Sequence, residues 1–307
     1  MNDLELLTRL RPQVDDPDPV ALARHRFALL TRANGGPAPR RSRLPRLAIG
    51  GGALVAGAAA LTLVVGLLPG GPAPLASATV LLNNAANAAD SGTPGHGEWT
   101  YTSEVTHLTG QPEVRTETWM KVDGSEGLVR TDRDGKHEER RVLGPTALAQ
   151  QLGDKGGSPL AVPSYANLLT LPTDPVQLKD VIYREVRAEL AILSPNGRKL
   201  YTDDQWAYQK ITELVMGPTP PAVRASLYRV AAMIPGVEVV DNATDASGRS
   251  GIGVAHTENS DGDKAMLIFD RNTYQVLGTK LDSISRGMSQ SEALLASTVV
   301  AGEGQTP

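Results

Sequence analysis

The sequence predicts an α+β fold: a curved antiparallel sheet of about eight strands with three helices on one face, preceded by one transmembrane helix. Three observations predict it. Leu47 to Leu68 (LAIGGGALVAGAAALTLVVGLL) runs for 22 residues without a charge, an amide or a proline. From Glu98 to residue 142, apolar side chains return at every second position between Asp-Gly turns. Between residues 175 and 235 the period lengthens to that of a helix three times, then falls back to two. Strands, then helices, then strands argue for an antiparallel α+β sheet and against a doubly wound parallel one.

Residues 1–46 read as a cytoplasmic, Arg-rich segment with two short helices. Leu4, Leu6, Leu7 and Leu10 fall at helical spacing, and Asp18-Pro19 supplies an N-cap followed by proline at the first helical position. Two such helices are too small to bury a core. Two roles stay open for them: an amphipathic tail on the membrane surface, or a docking segment for a cytoplasmic partner. The apolar run 47–68 matches the roughly 20 residues that cross a bilayer core as a helix. In lipid only a helix or a closed barrel satisfies every backbone N–H and C=O. The segment 1–46 holds nine Arg, no Lys and five acids, a net +4. Arg40, Arg41, Arg43 and Arg46 stand directly before the apolar run, and no charge follows it until Asp90. Positive-inside asymmetry therefore puts the N-terminus in the cytoplasm and the C-terminal part outside. The run exceeds the ~7–15 apolar residues of a cleaved signal peptide, so it reads as a retained anchor. Ala48, Gly52, Ala56 and Ala60 make a small-residue stripe of the kind that lets two such helices approach.

Residues 69–97 read as a stalk, with a helix possible over 76–89 before the Gly92–Gly97 break. An extracytoplasmic α+β domain follows over 98–282. Trp99, Tyr101, Ser103, Val105 and His107 alternate with polar residues as a first strand. Residues 113–122, 127–133 and 136–142 continue a four-stranded meander across Asp123-Gly124 and Asp134-Gly135. Residues 143–173 are rich in Gly and Pro. Thr173-Asp174-Pro175 then opens a helix over 176–190 with Leu178, Val181, Ile182 and Val186 on one face. Second and third helices are expected over 203–216 and 222–234, stopped by Gly217-Pro218 and Pro235-Gly236. Strands return at 237–241, 251–257, 264–269 and 274–281. Residues 283–307, rich in Ser and Gly, read as a mostly disordered tail with at most one more strand over 293–300.

Composition excludes several classes of function. There is no cysteine, hence no disulfide, thiol nucleophile, iron–sulfur ligation, lipoprotein acylation site or Cys-based zinc site. Residues 69–307 carry 21 basic and 29 acidic residues, a net −8, and aromatics make up only 4% of the chain. An acidic, aromatic-poor surface does not suit nucleic acid. No Gly-x-Ser-x-Gly elbow, P-loop or three-glycine dinucleotide loop occurs. His137-Glu138-Glu139 lacks the second histidine of a metalloprotease helix. His25, His96, His107, His137 and His256 are scattered, and the carboxylate pairs Asp203-Asp204 and Glu138-Glu139 are of the kind any acidic protein has. The chain therefore reads as a non-enzyme, with no catalytic, cofactor-binding or metal-ligating residue assigned.

Several motifs carry a resemblance. Leu171 to Pro175 (LPTDP), Pro220 to Val237 (PPAVRASLYRVAAMIPGV), Leu267 to Asp270 (LIFD), the Arg-rich segment, the single anchor and the Trp99-Thr100-Tyr101 strand start resemble an actinobacterial single-pass membrane family known by a placeholder name. Its members look like partners of extracytoplasmic-function sigma factors, which implies a sigma factor as partner for residues 1–46. The resemblance brings no activity and no catalytic residues. The His-then-two-Cys motif of zinc-type anti-sigma factors is absent. By analogy of fold alone, the exported part also resembles lipoprotein-carrier and sigma-regulator sensor domains of the LolA and RseB type, where a curved sheet wraps helices around an apolar cavity. Two functions follow as expectations. One is a membrane-anchored extracytoplasmic sensor that binds a hydrophobic ligand, in envelope-stress or sigma-factor regulation. The other is an envelope protein that docks or scaffolds another protein and holds no ligand.

Overall fold

The computed structural model describes residues 77–91, 96–151, 158–193, 201–257, 263–283 and 287–307. The segment 1–46, expected to be cytoplasmic, and the apolar run 47–68, expected to span a membrane, lie outside these residues. Among the described residues no helix is long and apolar enough to cross a membrane.

The described strands are β1 Trp99–Leu108, β2 Val114–Lys121, β3 Glu126–Arg133, β4 Lys136–Leu143, β5 Glu238–Thr244, β6 Ser250–Thr257, β7 Lys264–Phe269, β8 Val276–Ser283 and β9 Met288–Val300. They make one nine-stranded sheet in the order β4-β3-β2-β1-β9-β8-β7-β6-β5. Every neighbouring pair is antiparallel. The architecture is α+β, as the order of patterns predicts. The first four and the next four strands form two meanders whose hairpins the turn chemistry fixes. At the β3–β4 turn, for example, Asp134 (φ 53°) and Gly135 (φ 75°) both occupy the left-handed region. A two-residue turn between twisted strands requires that conformation, and Asp-Gly adopts it at low cost.

The ninth strand corrects the expectation of a mostly disordered 283–307. β9 lies at the centre of the sheet, between β1 and β8, and joins the two meanders. Its sequence, MSQSEALLASTVV, lacks the apolar density of a central strand. Its pairing makes it a strand all the same: Ala293, fully buried, sits between Val105 and Gly278 on one row. Strand preference depends on such pairing more than on the residue itself.

The helices are α1 Ala78–Asp90, α2 Pro145–Gln151, α3 Tyr165–Leu168, α4 Pro175–Leu193, α5 Asp203–Met216 and α6 Pro221–Ala231. Asp174 caps α4, its Oδ1 accepting from the N–H groups of Val176 and Gln177 at 3.1 and 2.9 Å. Thr202 and Gln205 form a reciprocal capping box at the start of α5. α6 begins on Pro221 at a first-turn position, where the missing N–H costs nothing. These three are the helices the sequence predicts. α1 is a fourth, inside the stretch expected as stalk. Ser77 caps it, and Leu81, Leu82, Ala85 and Ala86 form a buried stripe against α6.

The four long helices share one apolar core with strands β6 and β7. Leu178, Ile182, Ile211, Leu227, Val254, Leu267 and Phe269 are all fully buried there. Two tyrosines tie helices to sheet. Tyr208 donates to the Val254 carbonyl at 2.5 Å. The Tyr228 ring meets Phe269 edge-on, with centroids 5.4 Å apart. On β1–β4 a second, smaller cluster gathers Trp99, Tyr101, Trp119, Leu128 and Val300.

Candidate functional site

The candidate site arises where β8 is shorter than β9. The β8–β9 ladder ends at Gly278 opposite Ala293, yet β9 runs on to Val300, paired there with β1 alone. The β7–β8 turn sets this length. The Asp270 carboxylate accepts from the N–H groups of Asn272 and Thr273 at 2.9 and 2.8 Å. The Asp270 N–H in turn donates to Gln275 O at 2.9 Å, and Tyr274 takes a positive φ of 57°. A turn so held brings the chain into β8 only at Val276. Beyond it lies a cleft of about 620 Å³, lined by Leu294–Val299 of β9, by the β7–β8 turn, and by residues of α1, α3 and α6.

Two arginines stand at the cleft. Arg249 closes one end. Its Nη2 donates to Leu277 O and Leu294 O at 2.7 and 2.9 Å, where β8 and β9 begin to part. Its Nε pairs with the buried Asp245 carboxylate at 2.6 Å, so its charge is already balanced. Arg224, on α6, is differently placed. Its Nη2 reaches Gly217 O at 2.9 Å and Ser297 Oγ at 3.4 Å, and Ser297 Oγ itself donates to Gly217 O at 3.0 Å. Its Nε is shielded from water without a partner. Among the described residues no carboxylate pairs with it. Tyr165 and Tyr228 line the same cleft. Burial pushes the Tyr228 hydroxyl up to about 12 and the Tyr165 hydroxyl upward, with Arg224 opposing both, so at neutral pH each is an uncharged phenol. Ala85, Ala88 and Ala89 contribute the α1 part of the lining.

Two carboxyls on the helix-bearing side are pushed upward by burial, Glu213 on α5 and Glu104 on β1. Glu104 on β1 lies diagonally across from Glu292 on β9. Glu292 accepts from Thr279 Oγ1 and Gln290 Nε2, both at 2.9 Å. Half-buried Glu104 has its carboxyl pushed up to about 7, first by burial and then by the Glu292 charge. The ordinary value is 4.5. Between these two values the folded chain holds a proton that the unfolded chain has released. Stability from this group is thus fully present below pH 4.5 and lost as pH rises to 7. At 1.36 kcal/mol per unit the loss is about 3 kcal/mol. Glu104→Gln is expected to flatten that fall. Urea midpoints of both chains at pH 5 and pH 8 check it: parallel behaviour of the two would refute the buried carboxyl.

The residues weighed in the sequence for chemistry do not converge. His96, His107 and His137 are exposed, and His256 stacks on Tyr208 with its Nε2 3.1 Å from Pro235 O. Asp203 pairs with Arg187 at 2.8 Å, and Asp204 accepts from the Tyr183 hydroxyl at 2.5 Å. Glu139 pairs with Arg130 at 2.6 Å across β3 and β4. Among the described residues no group of three or more His, Asp or Glu is placed to hold a metal ion. The cleft residues were not visible as a site in the sequence. The one trace is Arg224 itself, a cation set between the buried Val223 and Ala225 of an amphipathic helix.

No known protein-family model matches the chain, and no curated protein matches it. Among solved structures it is similar to a crystal structure of MucB, at 16% identity and a TM-score of 0.28. It is also similar to the MucA/MucB complex of Pseudomonas aeruginosa (14%, 0.29) and to MucB in complex with MucA(peri) (14%, 0.27). Each match covers 75% of this chain and 62%, 61% and 59% of the respective MucB chains. The chain thus spans about three fifths of their length.

Proposed function

We propose that this chain is a single-pass membrane protein whose extracytoplasmic α+β domain is a binding module for a protein segment, working in envelope-stress or sigma-factor-linked regulation. Leu47–Leu68 is its anchor and the Arg-rich N-terminus its cytoplasmic end. The cleft beside β9 carries the reading. It is concave, of a volume usual for binding sites, and bordered by a strand that has a partner on one side only. Its wall favours one kind of occupant. An acyl chain calls for continuous apolar lining, but Arg224, Asp270, Thr273, Ser297 and Thr298 interrupt the apolar residues here. A polypeptide, with polar main chain and mixed side chains, suits such a wall better.

Photocrosslinking in intact cells tests this. A benzophenone side chain replaces Leu295, which is exposed and lines the cleft, in the full-length chain. A control chain carries it at His137 on the edge strand β4. The expected result is a discrete polypeptide adduct from position 295 alone, recovered with the membrane fraction. Lipid adducts only, or equal trapping at both positions, would overturn the binding reading. Recovery in the soluble fraction would overturn the anchor.

A further inference from the structure

We infer that the occupant of this cleft is an extended peptide segment that adds as a strand to the open edge of β9 and sets a carboxylate side chain on Arg224. The inference rests on the binding-module reading and names its partner's chemistry. Alternate residues of an antiparallel strand turn their N–H and C=O groups to the same edge. Beyond Ala293, β9 is paired on the β1 side only, and no main-chain hydrogen bond among the described residues reaches 295–299 from elsewhere. Two or so residues of that stretch therefore present unpaired donors and acceptors to the cleft. An open strand edge is a template for another strand.

The fold leaves this edge usable. Arg249 bridges β8 and β9 where they diverge, through Leu277 O and Leu294 O. The space beyond continues the line of β8, so an added strand meets a register already set by the sheet. Ala85, Ala88 and Ala89 of α1 line the same cleft. Charge then narrows the occupant. The Asp245 carboxylate neutralises Arg249, and the Asp270 carboxylate is occupied by its own turn. Arg224 is left as a cation without a carboxylate, hydrogen-bonded to Ser297 on the strand that would pair. An acidic side chain on an added strand, level with Ser297, supplies the missing counter-ion. Its hydrogen bond to the guanidinium is of the charge-assisted kind.

The test uses the full-length chain in lipid nanodiscs and a positional-scanning library of octapeptides rich in Val and Thr. Dissociation constants are read by fluorescence anisotropy. The best Glu-bearing peptide should bind at least 10-fold tighter than its Gln counterpart. N-methylation of alternate amides should weaken it at least 10-fold in one register and hardly in the other. Arg224→Gln should bring the Glu/Gln ratio near one, and Arg224→Lys should restore most of it. Equal affinity for the two peptides, or tolerance of N-methylation in both registers on the unaltered chain, overturns the inference. If no library member binds while the benzophenone at position 295 still traps a polypeptide, the inference falls and the binding-module reading stands. If neither occurs, both fall.

Discussion

A chain ended at Gly287 should fail to fold cooperatively. β9 is the sole ladder partner of β1 on one side and of β8 on the other. Its loss divides the sheet into β4-β3-β2-β1 and β8-β7-β6-β5. The second piece keeps the four long helices and their shared core. The first keeps only a small cluster, and that cluster includes Val300 and lies under residues after it. A domain's whole stability is about 5–15 kcal/mol, and this deletion removes two ladders and one cover at once. The expected observation is fast hydrogen exchange throughout 99–143 and no single urea transition. A chain that still unfolds in one step with protected β1 amides would show that β9 is dispensable. A milder variant probes the same joint. A Cβ at Gly278 would collide with the Glu292 carbonyl on β9. Gly278→Ala should therefore cost about 1–3 kcal/mol, the range for forced overpacking.

That joint also shows where sequence reading reaches and where it stops. The hairpins were legible because each is specified within a few residues: Asp134-Gly135 carries its own φ preference, whatever lies elsewhere. The helices α4, α5 and α6 were legible for the same reason, since Asp174-Pro175 opens the first and Gly217-Pro218 and Pro235-Gly236 stop the other two, all local signals. β9 was not, because what makes it a strand is the row it completes between Val105 and Gly278, residues far away in the chain. α1 was half legible. The run 76–89 read as a possible helix, but only the packed face of α6 makes it part of the domain rather than of a stalk. The cleft was not legible at all. It comes from a difference in length between two strands and from a turn that closes early, and neither shows in any local pattern.

Trp119→Ala should cost about 3–5 kcal/mol, as large aromatic truncations in cores do. The site is a row of four side chains across the first meander: Tyr101, Trp119, Leu128 and Arg141, each opposite the next. Trp119 is 0% exposed, although it lies on the sheet face away from the helix core. The residues after β9 shield it. Trp119 Nε1 donates to Gln305 O at 2.6 Å, and Arg141 holds Glu303 with two bonds at 2.8 and 3.2 Å. The Tyr101 ring lies 5.0 Å away, and the Arg130 guanidinium stands 4.8 Å over the indole. Alanine removes the ring contacts, the cation–π pair and the anchor of the C-terminal strap together. Phenylalanine separates these contributions. Trp119→Phe keeps an aromatic face for Tyr101 and Arg130 but loses the Nε1–H, so it should cost only about 1 kcal/mol, the net worth of one hydrogen bond. Guanidinium midpoints at constant slope measure both. The ordering is what matters: if Phe cost as much as Ala, the hydrogen bond to the strap would dominate. If Ala cost under about 1 kcal/mol, the strap would not be holding this face closed.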